Sequence, residues 1–165
     1  MIVIEENFIT DIQCDQLISF FNENRDKISH YSVNSTNTLK VKLIETSLIS
    51  SIKDNIISHC LSLTNSKVYL DNYEIVEWPK DSYHPPHYDL PTDIFSSLIY
   101  LNENFVGGET YFSDSKIIKP KKGTCLTFSN SKYRHSVNKI NIGTRYTFSF
   151  WFSRINNHME VWSSG

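Results

Sequence analysis

The heptapeptide HPPHYDL, His84 to Leu90, is the stretch on which the rest of the chain turns. It packs two histidines, two prolines, a tyrosine and an aspartate into consecutive positions. In an extended strand, residues two apart project to the same face, so His87 and Asp89 can chelate one cation between them. A third ligand must then come from elsewhere. His30 falls in a polar stretch, His59 on the polar side of a helical segment and His158 in the C-terminal tail. His84 is next door. His135, in YRHSVN, follows one β-like run and precedes the last long one, so it can face the H-x-D pair across a β core.

Outward from the heptapeptide the pattern is β-like on both sides. From residue 67 onward KVYL, YEIVEW, SSLIYL, ETYF, TCLTF and RYTFSFWF alternate apolar and polar residues. They are separated by turn chemistry such as WPKDS, NENFVGG, KPKKG and NKINIG. Before residue 67 the period is helical. Thr10 to Gln13 has the capping-box form, and Cys14, Leu17, Ile18 and Phe21 follow as one apolar stripe. Ile49, Ile52, Ile56, Cys60 and Leu63 predict a second amphipathic helix, and Leu39 to Leu43 reads as a strand after a polar loop from Asn22 to Thr38 that has room for a short extended piece. The expectation is an α+β, mainly β, single domain over 1–165. Its parts are an N-terminal helical support (1–66), a β core (67–153) and a short tail (154–165).

Composition narrows the function classes. A chain of 165 residues with net charge −2 advertises neither nucleic-acid nor membrane binding. Cys14, Cys60 and Cys125 are odd in number and far apart, as expected of free thiols in a reducing compartment. The N-terminus lacks a basic, apolar leader pattern and no stretch approaches the ~18 apolar residues of a membrane span, so the expected location is cytoplasmic. No G-x-S-x-G, H-E-x-x-H, P-loop or dinucleotide fingerprint occurs.

Two histidines and a carboxylate on one face of an octahedral ion leave three positions open, the donor set of non-haem Fe(II) oxygenases. Arg145 lies ten residues after His135 and opens RYTFSFWF. His87-Tyr88-Asp89, Tyr100-Leu101-Asn102, Gly107-Gly108-Glu109-Thr110 with Phe112, Pro120 with Gly123 and Phe128, His135, Arg145 and Trp151 stand in order. This ordered set resembles the 2-oxoglutarate/Fe(II)-dependent oxygenases, most of all their prolyl 4-hydroxylase-like branch. The resemblance implies a double-stranded β-helix core, of the jelly-roll or cupin kind, buttressed by N-terminal helices. It implies Fe(II) on His87, Asp89 and His135, with 2-oxoglutarate and O2 as co-reactants, and it allows ascorbate. It also implies that Arg145 and Tyr100 hold the distal carboxylate of 2-oxoglutarate, with Ser149 nearby.

The chain departs from that branch on the substrate side. Where its relatives often carry Tyr three residues before the H-x-D histidine, this chain has His84, with Tyr83 one place earlier. Trp78 and Asp93 replace a Tyr and an Arg. Tyr83, His84, Asp93 and Trp151 are therefore expected at the mouth of the pocket, with Asp93 favouring a positively charged substrate. The expected reaction is hydroxylation of an unactivated C–H in a peptidyl or free amino acid, proline first, with release of succinate and CO2. A small-molecule or nucleobase oxygenase and a non-catalytic metal-binding β domain are the alternatives. The oligomeric state is not legible.

Overall fold

The structure, a computed structural model, describes residues 1–90 and 93–154, Asp93 by its backbone alone. The chain opens with β1 (Ile2–Glu5) and α1 (Asp11–Glu23). Thr10 caps α1: its Oγ1 accepts from Gln13 N at 3.1 Å, while Gln13 Oε1 accepts from Thr10 N at 3.0 Å. Two N–H groups that a helix start leaves unpaired are satisfied this way. There follow β2 (Ser29–Tyr31), β3 (Thr36–Lys40), α2 (Ser47–Ser62), β4 (Tyr69–Trp78), β5 (His84–His87), β6 (Asp93–Tyr100), β7 (Val106–Gly107) and β8 (Thr110–Phe112). Then come β9 (Ile117–Ile118), β10 (Cys125–Ser129), β11 (His135–Val137), β12 (Ile140–Ile142) and β13 (Arg145–Ser153).

Seven strands form a large antiparallel sheet in the order β1-β10-β6-β13-β4-β3-β2, and four form a smaller one in the order β5-β11-β8-β9. Strand β13 shows how the large sheet divides its work. Phe148, Phe150 and Phe152 turn to one face and share a core with Leu17 and Phe21 of α1 and Ile49, Ile52 and Ile56 of α2. Arg145, Thr147, Ser149 and Trp151 turn to the other face and line a cavity of ≈ 220 Å³. Around it the two sheets close on each other. Phe112 and Ile118 pack with Tyr100, Leu126 and Phe128, and Val137 packs with Val76 and Trp78. This is the expected double-stranded β-helix with helices against one face.

The N-terminal third does more than support. β1, β2 and β3 all join the large sheet. The strand expected at Leu39–Leu43 lies three residues earlier in its start, and Lys42–Ile44 form a 3₁₀ turn instead. In β3 Thr36 and Thr38 line the cavity while Leu39 enters the core, so the strand carries the polar residues that hid it in the sequence. Gly107 shows why GG precedes the next strand. Its φ is +87°, and a Cβ there would meet Lys139 O at 2.0 Å. Residues 155–165, with His158 and most of the expected tail, lie outside the described residues.

Candidate functional site

His87 ends β5 and is the cross-strand partner of His135 on β11. Asp89 follows just past the end of β5. Asp89 Oδ1 lies 3.4 Å from Nε2 of each histidine, and the donor atoms of the three residues all fall within 4.8 Å of one another. Adjacent ligands on a first-row ion with ~2.1 Å bonds sit ~3 Å apart, so the group is close to a coordination shell. His87 Nδ1 is 2.8 Å from Pro85 O. A carbonyl only accepts, so Nδ1 carries the proton and Nε2 presents its lone pair.

Asp89 is held from behind. Its Oδ2 accepts from Ser96 Oγ at 2.5 Å and from Trp151 Nε1 at 3.2 Å, and Asn130 Nδ2 donates to the same Ser96 Oγ at 2.8 Å. Burial opposes charge on Asp89, but hydrogen bonding with His135, His87 and Ser96 outweighs it and holds the carboxyl far below the usual range. A metal cation at that point would serve the same electrostatic end.

Further into the cavity stands Arg145, 1% exposed. Its guanidinium carbon lies 4.9 Å from the centre of the Trp78 ring and 5.5 Å from that of Tyr100. Nη2 reaches Thr110 Oγ1 only at 3.5 Å, and that oxygen is 2.7 Å from the Tyr100 hydroxyl. Arg145 Nε and Trp78 Nε1 are buried without partners among the described residues, and no carboxylate there lies within 4 Å of Arg145. Burial lowers its pKa, yet a guanidinium stays charged. A buried cation without a counterion is expensive, and an anionic ligand removes the expense. Between the two ends, Thr147 Oγ1 and Ser149 Oγ face each other at 3.3 Å.

The substrate-side residues divide. His84 lines the cavity and stacks on His87 with ring centres 3.6 Å apart. They are three apart in a strand, yet share a face because β5 bulges: His87 pairs with His135 and His84 with Val137. Trp151 lines the cavity as expected and, unexpectedly, donates to Asp89. Tyr83 corrects the expectation. It is 49% exposed, stands just before β5 and lines a neighbouring cleft with Pro86, Tyr111 and Arg134, a cleft that His84 also lines. The Asp93 side chain lies outside the described residues. Sequence reasoning missed Ser96, Asn130 and Thr110 as supports, and Thr36, Thr38 and Glu74 as cavity walls. For Glu74 and Ser96, a period of two within the expected strands was the available signal.

Comparison with known proteins agrees with this geometry. Residues 72–153 match the 2OG-Fe(II) oxygenase superfamily. Prolyl 4-hydroxylase 2 of Arabidopsis thaliana is 26% identical over 77% of this chain, which spans 56% of that protein's length. The viral collagen prolyl hydroxylase of Paramecium Bursaria Chlorella virus-1, solved with 2OG, superposes with a TM-score of 0.76 at 21% identity, covering 94% of this chain and 96% of that one. A Trichoplax adhaerens prolyl hydroxylase, solved with a hypoxia inducible factor peptide, gives a TM-score of 0.77 at 20% identity, over 93% of this chain and 83% of that one. Fold, ordered motifs and family match converge on the 2-oxoglutarate/Fe(II)-dependent oxygenase superfamily, whose pattern the chain carries over residues 72–153, and prolyl hydroxylases are among the relatives it is similar to.

Proposed function

We propose that the protein is a 2-oxoglutarate- and Fe(II)-dependent dioxygenase that hydroxylates an unactivated C–H of a peptidyl or free amino acid, proline first. The observation that carries this is one cavity with two unlike ends: a His–Asp–His donor cluster at one, and a buried, anion-starved arginine at the other. The residues fit the groups. Two imidazoles and a carboxylate suit Fe(II) and leave positions for other ligands. Fe(II) with 2-oxoglutarate would supply oxygen activation, with one oxygen atom of O2 leaving in succinate, the other in the hydroxylated product, and CO2 released.

In this reading His87, Asp89 and His135 hold the metal. Ser96, Asn130 and Trp151 keep Asp89 charged and aimed. Arg145 receives the distal carboxylate of 2-oxoglutarate in a two-pronged contact, the Tyr100 hydroxyl adds a hydrogen bond to the same carboxylate, and Thr110 touches both side chains. Ser149 and Thr147 offer hydroxyls along the path. Residues 1–165 act as one oxygenase domain. The relatives' names support a peptide substrate, and the buried free thiols Cys14, Cys60 and Cys125 suit a reducing, cytoplasmic setting. Among the described residues, no helix is long and apolar enough to cross a membrane.

The test is incubation with Fe(II), 2-oxoglutarate and O2 and a library of proline-containing peptides, followed by mass spectrometry and succinate assay. A gain of one oxygen with equal succinate is expected. Absence of succinate with every peptide and without peptide would contradict the assignment.

A further inference from the structure

Strand β4 carries two glutamates three residues apart, on opposite faces of the large sheet. Glu77, on the helix side, is satisfied: it accepts from Arg25 Nη2 at 2.5 Å, Asn37 Nδ2 at 2.8 Å and the Tyr146 hydroxyl at 2.6 Å. Glu74, on the cavity side, has one long contact among the described residues, from Asn72 Nδ2 at 3.5 Å. Among the described residues, no Lys or Arg nitrogen lies within 4 Å of it. Lys40 is its neighbour in β3, but it forms no ion pair with Glu74. The consequences run in opposite directions. Burial raises the Glu74 carboxyl against weaker opposition from Asn72 and Lys40, whereas the partners of Glu77 overcome burial and lower it.

Glu74 lines the same cavity as His87 and Asp89, and also the shallow cleft at its rim beside Trp151 and Leu90. Its partner across to β13 is Ser149, while Arg145 pairs with Trp78. The two charges therefore project from backbone positions about 13 Å apart along the sheet. The cavity is a dipole: cationic where 2-oxoglutarate would be drawn in, anionic on the wall nearer the rim. A dianionic cosubstrate gains nothing from Glu74, so the carboxylate acts on the other ligand.

We propose that Glu74 selects substrates that carry a positive charge, a lysine or arginine side chain or a free amino group, beside the carbon presented to the His87–Asp89–His135 cluster. The inference rests on the oxygenase reading above and gives it a substrate class.

The probes are blocked tetrapeptides with Lys, Ala or Glu on either side of a single proline, and the same proline with a free amino terminus. Their affinities are measured anaerobically with Fe(II) and 2-oxoglutarate present, so that turnover is not needed. The unmodified protein should bind the cationic peptides best and the Glu peptides worst. Glu74→Gln should compress the Lys-to-Ala ratio by about tenfold, and Glu74→Lys should invert it. Equal affinities across the series, no binding by any peptide, or a cationic preference that survives in both variants would overturn the proposal. Succinate formation by the unmodified protein is read separately. Succinate without a charge ladder overturns this inference alone, and a ladder without succinate overturns the oxygenase reading alone.

Discussion

The two faces of the large sheet are built to different rules. On the helix face Phe148, Phe150 and Phe152 are fully buried among apolar neighbours, and Glu77 accepts from Arg25, Asn37 and Tyr146. On the cavity face the same strands present Trp78 Nε1 and Arg145 Nε, which have no partner among the described residues, and Arg145 Nη2 and Glu74, whose contacts there are long. A face that completes its own bonds contributes stability. A face that leaves bonds incomplete stores recognition, since its missing partners are those of a ligand. Substitutions on the two faces should therefore separate stability from activity.

The largest separation is expected at Asp89. Asp89→Ala removes a proposed metal ligand without opening the helix-side core. Metal affinity should fall by more than about 100-fold and succinate formation should vanish, while the denaturation midpoint falls only by what Ser96 and Trp151 lose with their acceptor, less than for a truncation in the helix-side core. Metal titration and thermal melts check both halves. Full turnover in this variant would remove the metal assignment.

The mirror image is Phe150→Ala. Phe150 stacks on Tyr73 with ring centres 6.2 Å apart and is completely buried. Truncation should cost about 3–5 kcal/mol of stability by urea titration. Activity per folded molecule should be retained, and a selective loss of it would blur the division.

Arg145→Met should move the two quantities in opposite directions. Removing an uncompensated buried charge should leave the ligand-free protein as stable or more stable. Affinity for 2-oxoglutarate should fall by about 2–5 kcal/mol, because the carboxylate loses its cation, with metal binding kept. Unchanged 2-oxoglutarate affinity would refute the pairing.

The smallest effect concerns Glu77. Its carboxyl is lowered in the folded protein, chiefly by Arg25 and Tyr146 against the opposing effect of burial. A depressed folded value means that the pairing stabilises above the ordinary glutamate value of about 4.3 and is lost as pH falls below it toward the folded value. Arg25 is half exposed, so solvent screening keeps the contribution small, about 1 kcal/mol. Glu77→Gln should flatten the acid limb of the stability curve, measured by urea midpoints at successive pH values. An identical limb would show that the carboxylate contributes nothing there.

How legible these faces were differs for a physical reason. The helices were plain because Thr10 and Gln13 cap locally and Cys14, Leu17 and Phe21 repeat with the helical period. The His87–Asp89–His135 group was plain because H-x-D is a local pattern and His135 was the distant strand-borne candidate. β3 was obscure because a strand lining a polar cavity lacks apolar alternation: Thr36, Thr38 and their neighbours look like loop. The contact between Ser96 and Asn130 was invisible because they lie 34 residues apart and meet through the β6–β10 pairing. Glu74 and Glu77 look alike in EIVE, and only the sheet's two faces tell them apart.

The central claim is that the two ends of one cavity belong to one ligand. Anaerobic calorimetry on the unmodified protein tests it: 2-oxoglutarate is titrated with and without Fe(II), and Fe(II) with and without 2-oxoglutarate. A ligand spanning the metal and Arg145 must couple the two bindings, and linkage makes the coupling reciprocal. The account predicts that each raises the affinity of the other by the same factor, about tenfold or more. Independent binding, with 2-oxoglutarate affinity indifferent to the metal, would contradict it.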